Sequence, residues 1–86
     1  MNTENLKIRQ IFTLAYENHR KSNLKLAESL YNKILKIDPN HTDTIFLLGT
    51  LSLQKKNSKM QLNYFTKFLL LILITLTLFI TLVLHQ

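Results

Sequence analysis

The chain has 86 residues, no cysteine, one glycine, one proline and a formal net charge of +6. This length allows at most one small domain, and the absence of cysteine excludes a disulfide framework and a thiolate zinc site. Because tight hairpin turns depend on glycine and proline, their scarcity favours an all-α fold.

The first predicted element is an amphipathic helix from about Thr3 to Arg20. Residues 1–10 lack the apolar core of a secretory signal, and Thr3 can cap a helix N-terminus, so we expect the chain to begin in the cytoplasm. Apolar residues recur at intervals of three and four: Ile8, Ile11, Phe12, Leu14 and Ala15. This spacing places them on one helix face.

A second helix and a third helix follow the first. The second begins after Ser22 or Asn23 and ends before Asp38, because the residue that precedes Pro39 disfavours the α conformation. About three polar residues separate the first two helices, which predicts an antiparallel hairpin. The third helix, capped by Thr42 or Asp43, is predicted to reach about Gln54. The apolar positions of these two helices are Leu24, Ala27, Leu30, Tyr31, Ile34, Leu35, Ile45, Leu47, Leu48 and Leu51.

This pattern resembles the tetratricopeptide repeat family, whose unit is a pair of helices about 34 residues long. The matching residues, expected to pack within and between repeats, are Leu14, Ala15, Ala27, Tyr31, Pro39, Leu48 and Gly49. The resemblance covers residues 8–54, one full unit and the first helix of another. The family's tryptophan is replaced by Ile11 and Ile45, its first-helix tyrosine by Asn18 and Ser52, and its second small residue by Ile34.

The resemblance implies an all-α, TPR-like helix-turn-helix hairpin with a third helix, and a role in binding a protein or peptide rather than catalysis. We expect the partner to lie against Ile8, Ile11, Phe12 and Ile45, with Ala15 and Leu48 beside them. The alternative to this interpretation is a generic helical hairpin without repeat character.

The last part of the chain is different in composition. The predicted organisation is a repeat region over residues 1–55, a basic linker or helix start over 56–67, and a hydrophobic segment over 68–84. The uncharged segment is about 25 Å long as a helix, which is the short end of what spans a bilayer, and residues 62–65 can lengthen it. Lys55, Lys56, Lys59 and Lys67 precede it, which predicts a tail anchor with the N-terminal part in the cytoplasm.

A second hypothesis explains the same tail as an out-of-frame reading of a further repeat. A period of 34 predicts alanine at 61, an aromatic residue at 65, a branched aliphatic residue at 68, and Asp-Pro at 72 and 73. The chain instead has Gln61, Phe65, Phe68, Ile72 and Leu73. Read one base back, the codons of Met60 and Gln61 must give alanine, and those of Ile72 and Leu73 permit Asp-Pro. Residues after about 55–58 would then be the frameshifted end of a longer repeat protein, with no independent function.

Catalytic and metal chemistry are not predicted. His19, His41 and His85 are far apart in the sequence, Asp38 and Asp43 suit helix ends, and the single Gly49 cannot form a phosphate-binding loop. We expect no enzyme, no cofactor and no metal. A basic patch for nucleic acid is also not expected, because no aromatic stacking pattern accompanies the lysines. Helices lying flat on anionic lipid are disfavoured because Glu17, Glu28 and Asp43 interrupt any basic face.

Overall fold

A computed structural model describes residues 3–85 and places four α-helices in that range. The helices are α1 (Thr3–Arg20), α2 (Leu24–Ile37), α3 (Thr42–Gln54) and α4 (Ser58–Leu84). No strand occurs among residues 3–85. The predicted all-α class is therefore confirmed.

The helices form two antiparallel hairpins. Hairpin 1 is α1 packed on α2, hairpin 2 is α3 packed on α4, and a smaller contact between α2 and α3 joins them. The first three helices have the predicted bounds, because the apolar periodicity and Pro39 define them locally. The predicted linker over 56–67 is largely helical instead, since α4 starts at Ser58 and continues to Leu84 without a break.

The turns within the two hairpins have the same backbone geometry, 34 residues apart. Ser22 and Lys56 both adopt the left-handed conformation, with φ of 65° and 56°. The next residues, Asn23 and Asn57, donate their backbone N–H to the carbonyl five residues earlier at 2.8 and 2.9 Å. This bond is typical of a Schellman ending, which satisfies the free carbonyls of the preceding helix. The α1 and α3 helices therefore end in the same way.

The helix starts differ from the predicted caps. His41, rather than Thr42 or Asp43, occupies the cap position of α3, and its Nδ1 lies 2.8 Å from the Thr44 hydroxyl. Thr42 and Asp43 fall inside the first turn, where the carboxylate of Asp43 is favoured by the positive end of the helix dipole. At the start of α4, the Asn57 side chain does cap the helix by accepting from the backbone N–H of Met60.

The core lies between the hairpins and is supplied by α1, α2 and α3. Its largest fully buried side chains are Tyr31, Ile34, Ile45, Leu48, Leu51, Thr44 and Ser52. Met60 and Tyr64 of α4 pack against this core from one side. From Ile72 to His85 every described side chain is exposed, so the last part of α4 extends away from the other helices.

Candidate interaction surfaces and the apolar helix

Most of the residues expected to pack within the repeat are buried. Ala15, Ala27, Tyr31 and Leu48 have no solvent exposure. Gly49 is also buried, and a Cβ atom built on it would lie 2.6–2.9 Å from ring atoms of Phe65. The small residue at this position thus allows α3 and α4 to approach closely.

The prediction for Leu14 is wrong, because its side chain is 50 % exposed, and Pro39 is exposed as well. Leu48, 34 residues after Leu14, is fully buried. The difference has a simple cause, since hairpin 1 precedes α3 in the stack whereas no helix among residues 3–85 precedes α1. Leu14 therefore lies on the open end of a two-hairpin stack.

The predicted partner-facing residues do not form one exposed surface. Ile8 is only 8 % exposed and Ile45 is fully buried, so neither is available to a partner in this conformation. Ile45 is covered because α3 packs between other helices, a long-range effect that helical periodicity does not reveal. Ile11 and Phe12 are half-buried.

The open part of this region is a small polar cavity at the free end of α1. It has a volume of about 330 Å³ and is lined by Asn5, Ile8, Arg9, Phe12, Asp38, His41 and Asp43. The rings of Phe12 and His41 lie 5.8 Å apart and close one side of the cavity. Both signs of charge line it, so the cavity has no clear preference for an anion or a cation.

An aromatic pair is repeated in the two hairpins, and sequence reasoning did not identify it. The rings of Phe12 and Tyr31 lie 6.2 Å apart at 59°, and those of Phe46 and Phe65 lie 6.1 Å apart at 60°. Each residue of the second pair follows its counterpart by 34 positions. Because such tilted pairs stabilise packed helices, hairpin 2 as far as Phe65 is built like hairpin 1.

A buried polar network connects the two hairpins. The Tyr31 hydroxyl donates to Nδ1 of His19 at 3.0 Å, and Nε2 of His19 donates to Oε1 of Gln54 at 2.6 Å. Burial, with a smaller effect from Tyr16, raises the pKa of Tyr31 to about 12. The predicted lone surface or interfacial histidine is therefore a junction between α1, α2 and α3. Its partners were missed because they lie far apart in the sequence.

The α4 helix is the only one of the four described helices that is long and apolar enough to cross a membrane by length and composition. None of its most apolar stretch is buried against the rest of the chain. Residues 69–84, which lie beyond the last aromatic contact with α3, measure about 24 Å. Phe65 and Phe68 cannot lengthen this span without leaving Phe46, whose ring is 6.1 and 5.1 Å from theirs.

The structure changes the interpretation of the lysines before the apolar segment. Lys55 and Lys56 lie in the turn at the start of hairpin 2, and Lys59 lies in the first turn of α4. At about 1.5 Å per residue, Lys59 is about 15 Å from Leu69 along the helix. Of the four lysines, Lys67 alone lies beside the apolar segment.

The described part of the chain contains no group of three histidine, cysteine or acidic residues that could hold a metal ion. His19 and His41 instead bond to the protein itself through Tyr31, Gln54 and Thr44.

Comparison with known proteins adds no family to this description, because no family model, no curated protein and no solved structure matches the chain.

Proposed function

We propose that this chain is a TPR-like protein-interaction module that is anchored in a membrane by α4, with its N-terminal part in the cytoplasm and no catalytic role. One observation carries the anchoring: α4 exposes an uninterrupted apolar surface over residues 69–84 that no described helix covers. Exposing such a surface to water is unfavourable, at roughly 25 cal/mol per Å². A bilayer provides a solvent in which that cost disappears.

The interaction role is supported by the two equivalent hairpins. Their turns and aromatic pairs recur with a spacing of 34 residues, which is the period of the repeat family that the sequence resembles. Proteins built from such repeats stack them into surfaces that bind other polypeptides. The open end at Leu14 is consistent with that architecture.

Extraction of membranes at alkaline pH tests the anchor. We expect Leu76→Arg, near the middle of residues 69–84, to release the chain into the supernatant, because an arginine at the bilayer centre costs about 3 kcal/mol on insertion scales. The matched variant Leu76→Ala keeps the site uncharged and should stay in the pellet. Equal behaviour of both variants would contradict the proposal.

A second candidate is that the chain is the frameshifted end of a longer repeat protein. The observation that favours it is the way in which hairpin 2 fails to end. The α2 helix stops at Ile37 before Asp38 and Pro39, whereas α4 passes the equivalent positions, Ile72 and Leu73, without a stop. The nucleotide sequence from codon 50 past codon 86 tests this candidate. Asp-Pro at 72 and 73 in the frame one base back supports it, and early stop codons in that frame contradict it.

A further inference from the structure

The end of the molecule that carries the two hairpin turns is strongly basic. The ion pair between Lys55 and Glu28, at 2.6 Å, shows that the turn of hairpin 2 lies against the start of α2. We call this region the turn end. It contains six exposed cations, Arg20, Lys21, Lys25, Lys55, Lys56 and Lys59, and two carboxylates, Glu17 and Glu28. The rest of the chain has five cations and three carboxylates, so most of the net charge of +6 lies at the turn end.

A groove opens at the turn end between hairpin 1 and hairpin 2. It has a volume of about 570 Å³ and is lined by Ser22, Asn23, Leu24, Lys25, Leu26 and Lys55. Leu26 is 49 % exposed, and Leu24 is half-buried beside it. The groove therefore presents an aliphatic surface between two ammonium groups. This combination fits a ligand that has both negative charge and apolar side chains.

We infer that the turn end is a docking surface for an acidic polypeptide segment that carries leucine-like side chains. Carboxylates of the segment lie near Lys25, Lys55 and Lys59, and an aliphatic side chain enters the groove against Leu24 and Leu26. Complementary charge of this kind increases the association rate and selects partners by sign. The inference names the class of partner for the proposed interaction role, but its site is separate from the predicted surface around Ile11 and Phe12.

Two other anionic partners fit the turn end less well. Nucleic acid is bound through aromatic stacking and bidentate arginine contacts, whereas this groove is aliphatic and Arg20 is the single arginine at this end. The bilayer that holds residues 69–84 is about 15 Å from Lys59 along α4, which is beyond the Debye length of about 8 Å at physiological salt. A polypeptide is therefore the partner that the residues favour.

The test uses the full chain in neutral phosphatidylcholine nanodiscs and a fluorescein-labelled peptide in which glutamates alternate with leucines. Fluorescence anisotropy measures its Kd against the same peptide with glutamine in place of glutamate. We expect saturable binding of the acidic peptide that weakens with added salt, and none of the glutamine peptide. Equal binding of both peptides overturns the inference.

A triple variant locates the site. Lys25→Gln, Lys55→Gln and Lys59→Gln together should weaken binding about ten-fold, because rim charges each contribute modestly to affinity. The corresponding arginine substitutions should retain it. Circular dichroism confirms that each variant has the parent helix content before it is compared.

The matched control removes the same charge from elsewhere on the molecule. Lys7→Gln, Lys33→Gln and Lys36→Gln together should change the Kd by less than about two-fold, since these exposed lysines are not at the turn end. An equal loss in both triple variants overturns the inference in favour of a general charge effect. Binding of a single-stranded oligonucleotide or of phosphatidylserine vesicles, without binding of the acidic peptide, overturns it in favour of those partners.

Repeating the titration in a neutral detergent separates this inference from the anchor. Binding in both media supports the docking surface whether or not α4 crosses a bilayer, and absence of binding in both overturns the surface while leaving the anchor to its own test. Binding in detergent alone overturns the placement of the turn end away from the bilayer.

Discussion

At the scale of single residues, Gly49 determines how closely the helices of hairpin 2 can approach each other. A methyl group at this position would lie 2.6–2.9 Å from the Phe65 ring, which also packs on Phe46. Alanine gains about 1 kcal/mol in helix propensity over glycine, but overpacking of this kind costs about 1–3 kcal/mol. We expect Gly49→Ala to lower the free energy of unfolding by roughly 1 kcal/mol.

Chemical denaturation of Gly49→Ala in neutral detergent measures this effect. The control is the double variant Gly49→Ala with Phe65→Leu, in which the smaller side chain makes room for the methyl group. Its stability should equal that of Phe65→Leu alone or exceed it. If Gly49→Ala is more stable than the parent chain, the close contact with Phe65 is not a constraint.

Tyr31 makes stability depend on alkaline pH. Its pKa is about 12 in the folded chain and 10.0 for an ordinary tyrosine, because burial disfavours the phenolate. The unfolded chain therefore loses this proton at lower pH than the folded chain does. The contribution of Tyr31 to stability is fully present below pH 10.0 and is lost as the pH rises to about 12.

The variant Tyr31→Phe isolates this contribution. At neutral pH it should be less stable than the parent by about 1–2 kcal/mol, because Nδ1 of His19 loses its donor. Between pH 10 and 12 its stability should fall less steeply than that of the parent, by urea denaturation followed by circular dichroism. Parallel pH profiles for the two chains would show that Tyr31 does not titrate as its burial requires.

At the scale of helices, α4 combines two tasks in one element. Its first half packs on α3 through Phe65 and Phe68, and its second half is apolar and uncovered. The equivalent helix α2 stops at Ile37 because Asp38 and Pro39 follow. With Ile72 and Leu73 at those positions, nothing stops α4.

Restoring the stop should separate the two tasks. We expect Ile72→Asp with Leu73→Pro to interrupt α4 near residue 71 and to abolish integral membrane association. Proline in a helix interior costs about 3 kcal/mol, and an aspartate in the apolar segment costs further energy near the bilayer. Alkaline extraction and helix content by circular dichroism measure both effects. Ile72→Leu with Leu73→Ala is the control, and retention of the proline variant in the membrane pellet would contradict the account.

Much of this element structure was predictable from the sequence because its causes are local. Apolar spacing defines α1, α2 and α3, and Pro39 ends α2. The start of α4 was obscured by the polar composition of residues 55–59, although Asn57 repeats the position of Asn23. Local composition suggested a linker where an N-cap and a hairpin turn are present.

The candidate surfaces were less predictable because they depend on contacts between distant parts of the chain. Ile45 has the same helical spacing as Ile11, yet packing between helices buries it completely. Likewise, the lysines at 55, 56 and 59 precede the apolar segment in sequence but lie at the opposite end of hairpin 2. Only the direction of α4 relative to α3 places them there.

At the scale of the whole molecule, the two hairpins share one core. Leu48 and Leu51 of hairpin 2 belong to the same buried cluster as Tyr31 and Ile34 of hairpin 1. Repeat proteins derive their stability from such interfaces between neighbours, and about three units are usual. A chain of two hairpins therefore depends strongly on this single interface.

We expect Leu48→Ala to lower the free energy of unfolding by about 2–5 kcal/mol and to destabilise both hairpins together. Leu53→Ala, in the same helix at a side chain that is 49 % exposed, is the matched control and should cost less than about 1 kcal/mol. Hydrogen exchange resolved along the chain measures the result. Loss of protection in α3 and α4 alone would show that the hairpins are energetically independent.

The position of α4 in a bilayer is the central claim, and cysteine labelling tests it most directly because the natural chain has no cysteine. Ser58→Cys and Leu76→Cys are each added to neutral vesicles and treated with a membrane-impermeant maleimide. We expect the thiol at 58 to react in intact vesicles and the thiol at 76 to react only after the vesicles are dissolved in SDS. Equal labelling of both thiols in intact vesicles would contradict the anchor.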